Sequence, residues 1–92
     1  MYLHLGQNTV VRDRDIIGIF DLDITSQSIR TRQYLNTAEK RGEVVAVSEE
    51  LPKSFVITAE RRGDQRVFIS QLSTATLFKR LRPAPLQWGD QT

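Results

Sequence analysis

The sequence predicts a small domain of mixed strands and two helices, and three observations carry that expectation. Ninety-two residues allow one domain and no more. Short runs of alternating or wholly apolar residues recur along the chain, bounded by Gly, Asn, Asp or Pro. Two other stretches, one reaching Gly42 and one reaching Pro83, carry apolar residues at helical spacing behind a serine. A chain of this length buries only roughly 60–65% of its unfolded surface, so its core is thin.

Residues 2–5 alternate, with Leu3 and Leu5 on one face and Tyr2 and His4 on the other, the period of a strand. Gly6-Gln7-Asn8 is a turn signal, and Thr9-Val10-Val11 is a second short β-prone piece. The charged link Arg12-Asp13-Arg14-Asp15 leads into five apolar-or-Gly residues, 16–20. Such a run predicts a strand covered on both faces, with Gly18 marking the close approach of another element. Residues 23–27 read as a turn. Ser28 is the N-cap candidate for a helix over 29–41, with Gly42 at its C-terminal cap. Its apolar stripe is Thr31, Tyr34, Leu35 and Ala38, and Arg30, Arg32, Lys40 and Arg41 fall outside that stripe. Lys40 and Arg41 also suit the negative end of the helix dipole.

Residues 44–47 form a short predicted strand and 48–52 a loop. Residues 54–59 and 66–70 flank Arg61-Arg-Gly-Asp-Gln65, a predicted hairpin with a Gly-Asp turn. Ser73 caps a last helix through Arg82, whose face is Thr74, Leu77, Phe78 and Leu81. Pro83 ends it. Residues 1–82 are thus read as a single domain and 83–92 as a flexible tail, with Trp88 its one aromatic residue. Trp88 either anchors on a neighbouring subunit or partner, or is a remnant without a contact.

Composition excludes several classes. Charged residues at 26% and hydrophobic ones at 39% are ordinary for a soluble globular protein. With no cysteine there is neither a disulfide nor a thiolate metal site, which fits a reducing cytoplasm. No stretch approaches the ~20 apolar residues that span a bilayer. The N-terminus alternates at once and shows no basic region followed by an apolar run, so the expectation is a cytoplasmic, unprocessed chain without a membrane partner. A net charge of +2 is too small to imply nucleic acid. The type of cation says more: ten of the thirteen are arginine, which suits bidentate phosphate or carboxylate contacts better than lysine. Arginine-rich genomic composition gives the same count.

Catalytic chemistry finds no constellation. His4 is the single histidine and has neither triad partners nor a second metal ligand. Asp21 and Asp23 sit where a strand exits into a turn, which Asp favours by itself. Glu49 and Glu50 form an acidic loop with no nucleophile beside them in the sequence. The basic residues fall into sets: Arg12 and Arg14; Arg30 and Arg32; Arg61, Arg62 and Arg66; Lys79, Arg80 and Arg82. Scattered solvated charge is the default reading of such sets. A nucleic-acid surface needs them gathered on one face, since each phosphate contact contributes by releasing counterions. Oligomerisation would repeat each small patch and turn a weak contact into avidity. The apolar residues on both faces of 16–20 and 55–57 exceed what two short helices cover, which predicts a homo-oligomer.

Four segments, taken in order, resemble the RemA/RemB-like extracellular matrix regulator family. They are Leu3-His-Leu-Gly6, Asp15-Ile-Ile-Gly-Ile-Phe-Asp21, Lys53-Ser-Phe-Val-Ile57 and Leu72-Ser-Thr-Ala-Thr-Leu-Phe-Lys-Arg80. The Tyr-Leu-His start is closer to the RemB branch than to RemA. The resemblance implies an α+β subunit, with a small mostly antiparallel β-sheet and two helices, assembling into a closed ring-like homo-oligomer. It also implies a non-enzymatic, DNA-binding transcriptional regulator of extracellular matrix and biofilm genes, without cofactor, metal or small-molecule substrate. In the family the DNA contacts come from arginines before the long apolar strand and in the loop before the strand matching 54–59. Carried over by position, the DNA-binding residues here are Arg12, Arg14 and Lys53, with double-stranded DNA as partner. The pattern departs at Asp15, directly before Ile16, and at Glu49-Glu-Leu-Pro52, where the paired arginines are replaced. The alternative is therefore an oligomeric protein-binding scaffold that has lost direct DNA binding, with Glu49 and Glu50 as its acidic surface.

Overall fold

The computed structural model describes residues 1–25 and 28–81. Strands β1 (Tyr2–Gly6) and β2 (Thr9–Arg12) form an antiparallel hairpin with Leu3 opposite Val11. A 3-10 turn over Asp13–Asp15 follows, then β3 (Ile16–Asp21) and one turn of helix, α1 (Leu22–Thr25). Helix α2 spans Ile29–Lys40, and strand β4 covers Val44–Ala46. The chain ends its described part with β5 (Ser54–Ala59), β6 (Gln65–Ser70) and helix α3 (Thr74–Leu81). Arg82 and the tail with Trp88 lie outside the described residues.

The second sheet has strand order β3-β5-β6-β4. Its β3–β5 and β5–β6 pairs are antiparallel, whereas β4 runs parallel to β6. The fold is α+β, and the sheet is mostly antiparallel, as expected, with β4 as its one parallel member. β5 fills one side of β6, so β4 joins the other, and there it runs parallel to β6. Backbone bonds extend that pairing at both ends: Val67 N–H donates to Glu43 O at 2.8 Å and Val47 N–H to Ile69 O at 2.9 Å.

Strand alternation divides the core between the two faces of this sheet. Phe55 and Val67 face one side, with Ala38, Leu35, Phe20, Leu22 and Val44. Val56 and Phe68 face the other, where Leu3, Leu5 and Leu77 are packed with Val47. Helix α2 therefore covers one face, while the β1–β2 hairpin and α3 cover the other. Two buried serines fix the hairpin layer. Ser70 Oγ donates to Leu5 O at 2.6 Å and accepts from Leu72 N–H at 3.0 Å, and Ser54 Oγ donates to Leu72 O at 2.8 Å. Each buried hydroxyl is thus satisfied, as burial requires.

Residues 16–20 are not covered on both faces throughout, as their composition predicts. Ile16 pairs with Thr58 and Gly18 with Ile57, which leaves Ile17 as the extra residue of a β-bulge, 61% exposed. The bulge resets the alternation, so that Ile16 and Ile19 both reach the hairpin-side core. Gly18 does accommodate a close approach, but by its own strand. A Cβ there would lie 2.6 Å from the Phe20 ring, which stacks on Phe55 with centroids 5.1 Å apart.

Residues 23–25 continue a helical turn where the sequence reads as a plain turn. Leu22 starts it, its N–H donating to Lys53 O at 3.0 Å and its side chain packing on the α2-side core. Helix α2 begins as expected, Ser28 Oγ accepting from Thr31 N–H at 3.4 Å. Its end is a Schellman motif: Glu43 N–H donates to Ala38 O and Gly42 N–H to Glu39 O, with Gly42 at φ +72°. Helix α3 buries Leu77 but leaves Phe78 51% exposed, although the spacing assigns both to one face. Ser73 Oγ accepts from Thr76 N–H at 3.2 Å and lies 3.0 Å from Thr76 Oγ1. Ser73→Ala should therefore cost about 1 kcal/mol, read as a lower urea midpoint at unchanged m-value.

Candidate functional site

Strand β2 delivers Arg12 to the rim of the hairpin, and the 3-10 turn that follows presents Arg14 one step further on. Both side chains are exposed. Asp13, between them, is turned to the chain start: its N–H donates to Met1 O at 3.1 Å, and its Oδ1 lies 3.7 Å from the Met1 amino nitrogen. The carboxylate nearest to both arginines in sequence is thus engaged by another cation.

The register of the large sheet brings a second basic segment to the same place. Ile16, the first residue of β3, lies opposite Thr58 near the end of β5. Antiparallel pairing therefore sets the turn before β3 beside the turn after β5. That later turn is tight. Gly63 N–H donates to Glu60 O at 2.7 Å, Glu60 N–H donates to Asp64 O at 2.9 Å, and Gly63 stands at φ +91°, a conformation glycine adopts without strain. The turn holds Arg61 and Arg62 exposed at its tip.

An open groove of about 580 Å³ lies between the two turns, lined by Arg12, Arg14, Arg61 and Arg62 together with Asp15 and Glu60. Four guanidinium groups against two carboxylates leave the groove a formal charge of +2. None of the four arginines forms an ion pair among the described residues. A neighbouring depression of about 290 Å³ shares Arg12 and adds Arg66. Guanidinium forks on one rim, without an ion pair among the described residues, are donors for oxyanions, and each matches a phosphate or carboxylate in bidentate geometry.

Lys53 is exposed but stands elsewhere. It directly precedes β5, its N–H donating to Ser70 O at 2.8 Å, and the whole length of β5 separates it from the arginine groove. At the usual rise per residue that separation is roughly 20 Å. Glu49 and Glu50 are exposed at the Lys53 end, with Glu50 N–H donating to Ser48 Oγ at 3.0 Å. They line a separate open depression with Gln7 and Ser48. The sheet thus has an arginine end and an acidic end. Of the three cations singled out in the sequence, Arg12 and Arg14 come together and Lys53 does not join them.

Arg61 and Arg62 stand out in the sequence only as one basic set among several. The signal that places them beside Arg12 and Arg14 is the antiparallel pairing of 16–21 with 54–59. His4 is exposed on the outer side of the hairpin, and its carbonyl accepts from Arg80 Nη1 at 3.4 Å. Among the described residues there is no group of three or more potential metal ligands, and no helix long and apolar enough to cross a membrane.

A family model described as RemA-like, extracellular matrix regulatory protein A-like, matches residues 2–81. Extracellular matrix regulatory protein B of Bacillus subtilis (strain 168) is 39% identical over 80 residues, which cover 87% of this chain and 89% of that protein. The match runs through both sheets and all the described helices, including the turns that carry the arginines. The chain belongs to the RemA-like family of extracellular matrix regulatory proteins.

Proposed function

We propose that this protein is a non-enzymatic, cytoplasmic regulator of extracellular matrix and biofilm genes that binds double-stranded DNA as a homo-oligomer, in a closed ring. The observation that carries the reading is the pair Arg12 and Arg14, exposed on one rim and free of ion pairs among the described residues. Such residues position a protein on the phosphate backbone without reading bases. Lys53 is proposed as a separate phosphate contact from the other end of the sheet. Family membership supports the regulatory role.

Self-association is supported by exposed apolar side chains: Ile17 on the free edge of β3, Tyr2 and Val10 on the outer hairpin, and Phe78 on α3. Edge strands β3 and β4 each keep one unpaired side within this chain. A ring would repeat the Arg12–Arg14 rim and convert weak phosphate contacts into avidity. A second reading, a protein-binding scaffold, is favoured by the acidic end, where Leu51 is 80% exposed beside Glu49 and Glu50. A gel shift with a mixed-sequence duplex, run beside light scattering on the same sample, separates the two. A retarded duplex with an oligomeric mass supports DNA binding, and an oligomer that leaves the duplex free supports the scaffold.

A further inference from the structure

The groove between the two turns offers more donors than the Arg12–Arg14 pair needs. Arg61 and Arg62 lie at the tip of the β5–β6 turn, where no packing role holds them: both are exposed, and neither is ion-paired among the described residues. Gathering four guanidinium groups against Asp15 and Glu60 leaves uncompensated positive charge on one rim. Repulsion among exposed like charges is a standing cost, and an anion placed between them removes it. The groove is open rather than enclosed, so it suits an extended polyanion passing along the rim better than a small ligand swallowed whole. The adjoining depression shares Arg12, Asp15 and Glu60 with the groove and adds Arg66, which offsets one of those carboxylates, while the Met1 amino group lies beside Asp13.

We infer that Arg61 and Arg62 form, with Arg12 and Arg14, a clamp for neighbouring phosphates of one DNA strand, and that this end of the sheet is the principal DNA contact. The acidic end with Glu49 and Glu50 then lies off the main phosphate track, and Lys53 there is a secondary contact. The inference deepens the DNA-binding reading and rests on it, adding residues and a direction. In each protomer the clamp offers one guanidinium group from the end of β2, one from the 3-10 turn and two from the β5–β6 turn, reaching a phosphate from both sides. Fork geometry favours arginine here, so lysine in the same places should restore charge but only part of the affinity.

The test uses the full chain with a labelled mixed-sequence duplex, titrated by fluorescence anisotropy at several salt concentrations. R61A/R62A should weaken binding by tenfold or more at low salt and make the slope of log affinity against log salt shallower by about 1.8 for each protomer that touches DNA. R61K/R62K should recover part of that loss, and K53A should change affinity by less than about threefold, the scale of one exposed phosphate contact. Light scattering should give every variant the wild-type mass. If the wild type binds and R61A/R62A matches it in affinity and slope, the clamp is overturned while the DNA reading stands. If K53A is the more damaging variant, the direction is overturned.

A wild type that binds no duplex overturns the DNA reading itself, and the clamp is then decided by a second probe. Titrating inorganic tripolyphosphate should shift the amide resonances of residues 12, 14, 61 and 62 before those of residues 49–53. Shifts absent from 61 and 62, or concentrated at 49–53, would overturn the anion site as well.

Discussion

Replacing Arg12 and Arg14 together by alanine should lower affinity for duplex DNA by about tenfold or more at moderate salt, with the fold intact. The two side chains are exposed and make no ion pair among the described residues, so their removal should change stability by no more than ~0.5 kcal/mol. What they supply is counterion release. Each phosphate contact adds about 0.9 to the slope of log affinity against log salt, so two contacts are worth roughly tenfold over a fourfold change in salt. In an oligomer the loss recurs in every protomer that reaches the duplex, and the total grows accordingly. Anisotropy titrations of wild type and variant, with a thermal melt of each, check both halves of the expectation. A variant that melts early would point to a structural role for the pair, and one that binds like wild type would remove the rim from the DNA contact.

The largest effect on stability should come from Leu77→Ala. Leu77 is wholly buried and seats α3 on the face that holds Leu3, Leu5 and Val56. Deleting a buried leucine side chain costs about 2–5 kcal/mol, part of it transfer and part the cavity left behind. That is a large share of the ~5–15 kcal/mol that holds a domain together. The consequence extends to the groove, because β1, β2 and α3 share one core and β2 leads directly into the turn that carries Arg14. Urea unfolding should show a lower midpoint, and the residual folded protein should bind DNA less well than wild type. An unchanged midpoint would mean that the hairpin layer does not depend on α3.

Most elements of the fold are legible in local chemistry. Ser28 and Ser73 cap the helices that the sequence assigns to them, and Gly42 ends α2 in the left-handed conformation that only glycine adopts cheaply. The strand 54–59 is found with its predicted bounds. These features depend on neighbours a few residues apart. Pairing over longer distances leaves no such local mark. Nothing in Val44–Ala46 itself distinguishes a parallel partner from an antiparallel one, since the direction is set by the path of the chain between β4 and β6 and not by the strand's own residues. The bulge at Ile17 is likewise a property of the β3–β5 register, and an apolar run alone reads as unbroken strand.

The candidate site divides in the same way. Arg12 and Arg14 are visible in the sequence as part of a charged link before an apolar strand. Their proximity to Arg61 and Arg62 spans almost fifty residues of chain and emerges only when Ile16 is set opposite Thr58. Position in the family pattern groups Lys53 with Arg12 and Arg14. In space it marks the opposite end of β5, together with the acidic loop.

The most direct test of DNA binding by the arginine end is the salt dependence of wild-type affinity for a short duplex, measured with the oligomeric mass of the same sample. Expected is binding at about 50 mM salt that weakens steadily as salt rises, with a log–log slope of about −2 or steeper, the value for two or more neutralised phosphates. Absence of binding at that salt, or an affinity indifferent to salt, would contradict it.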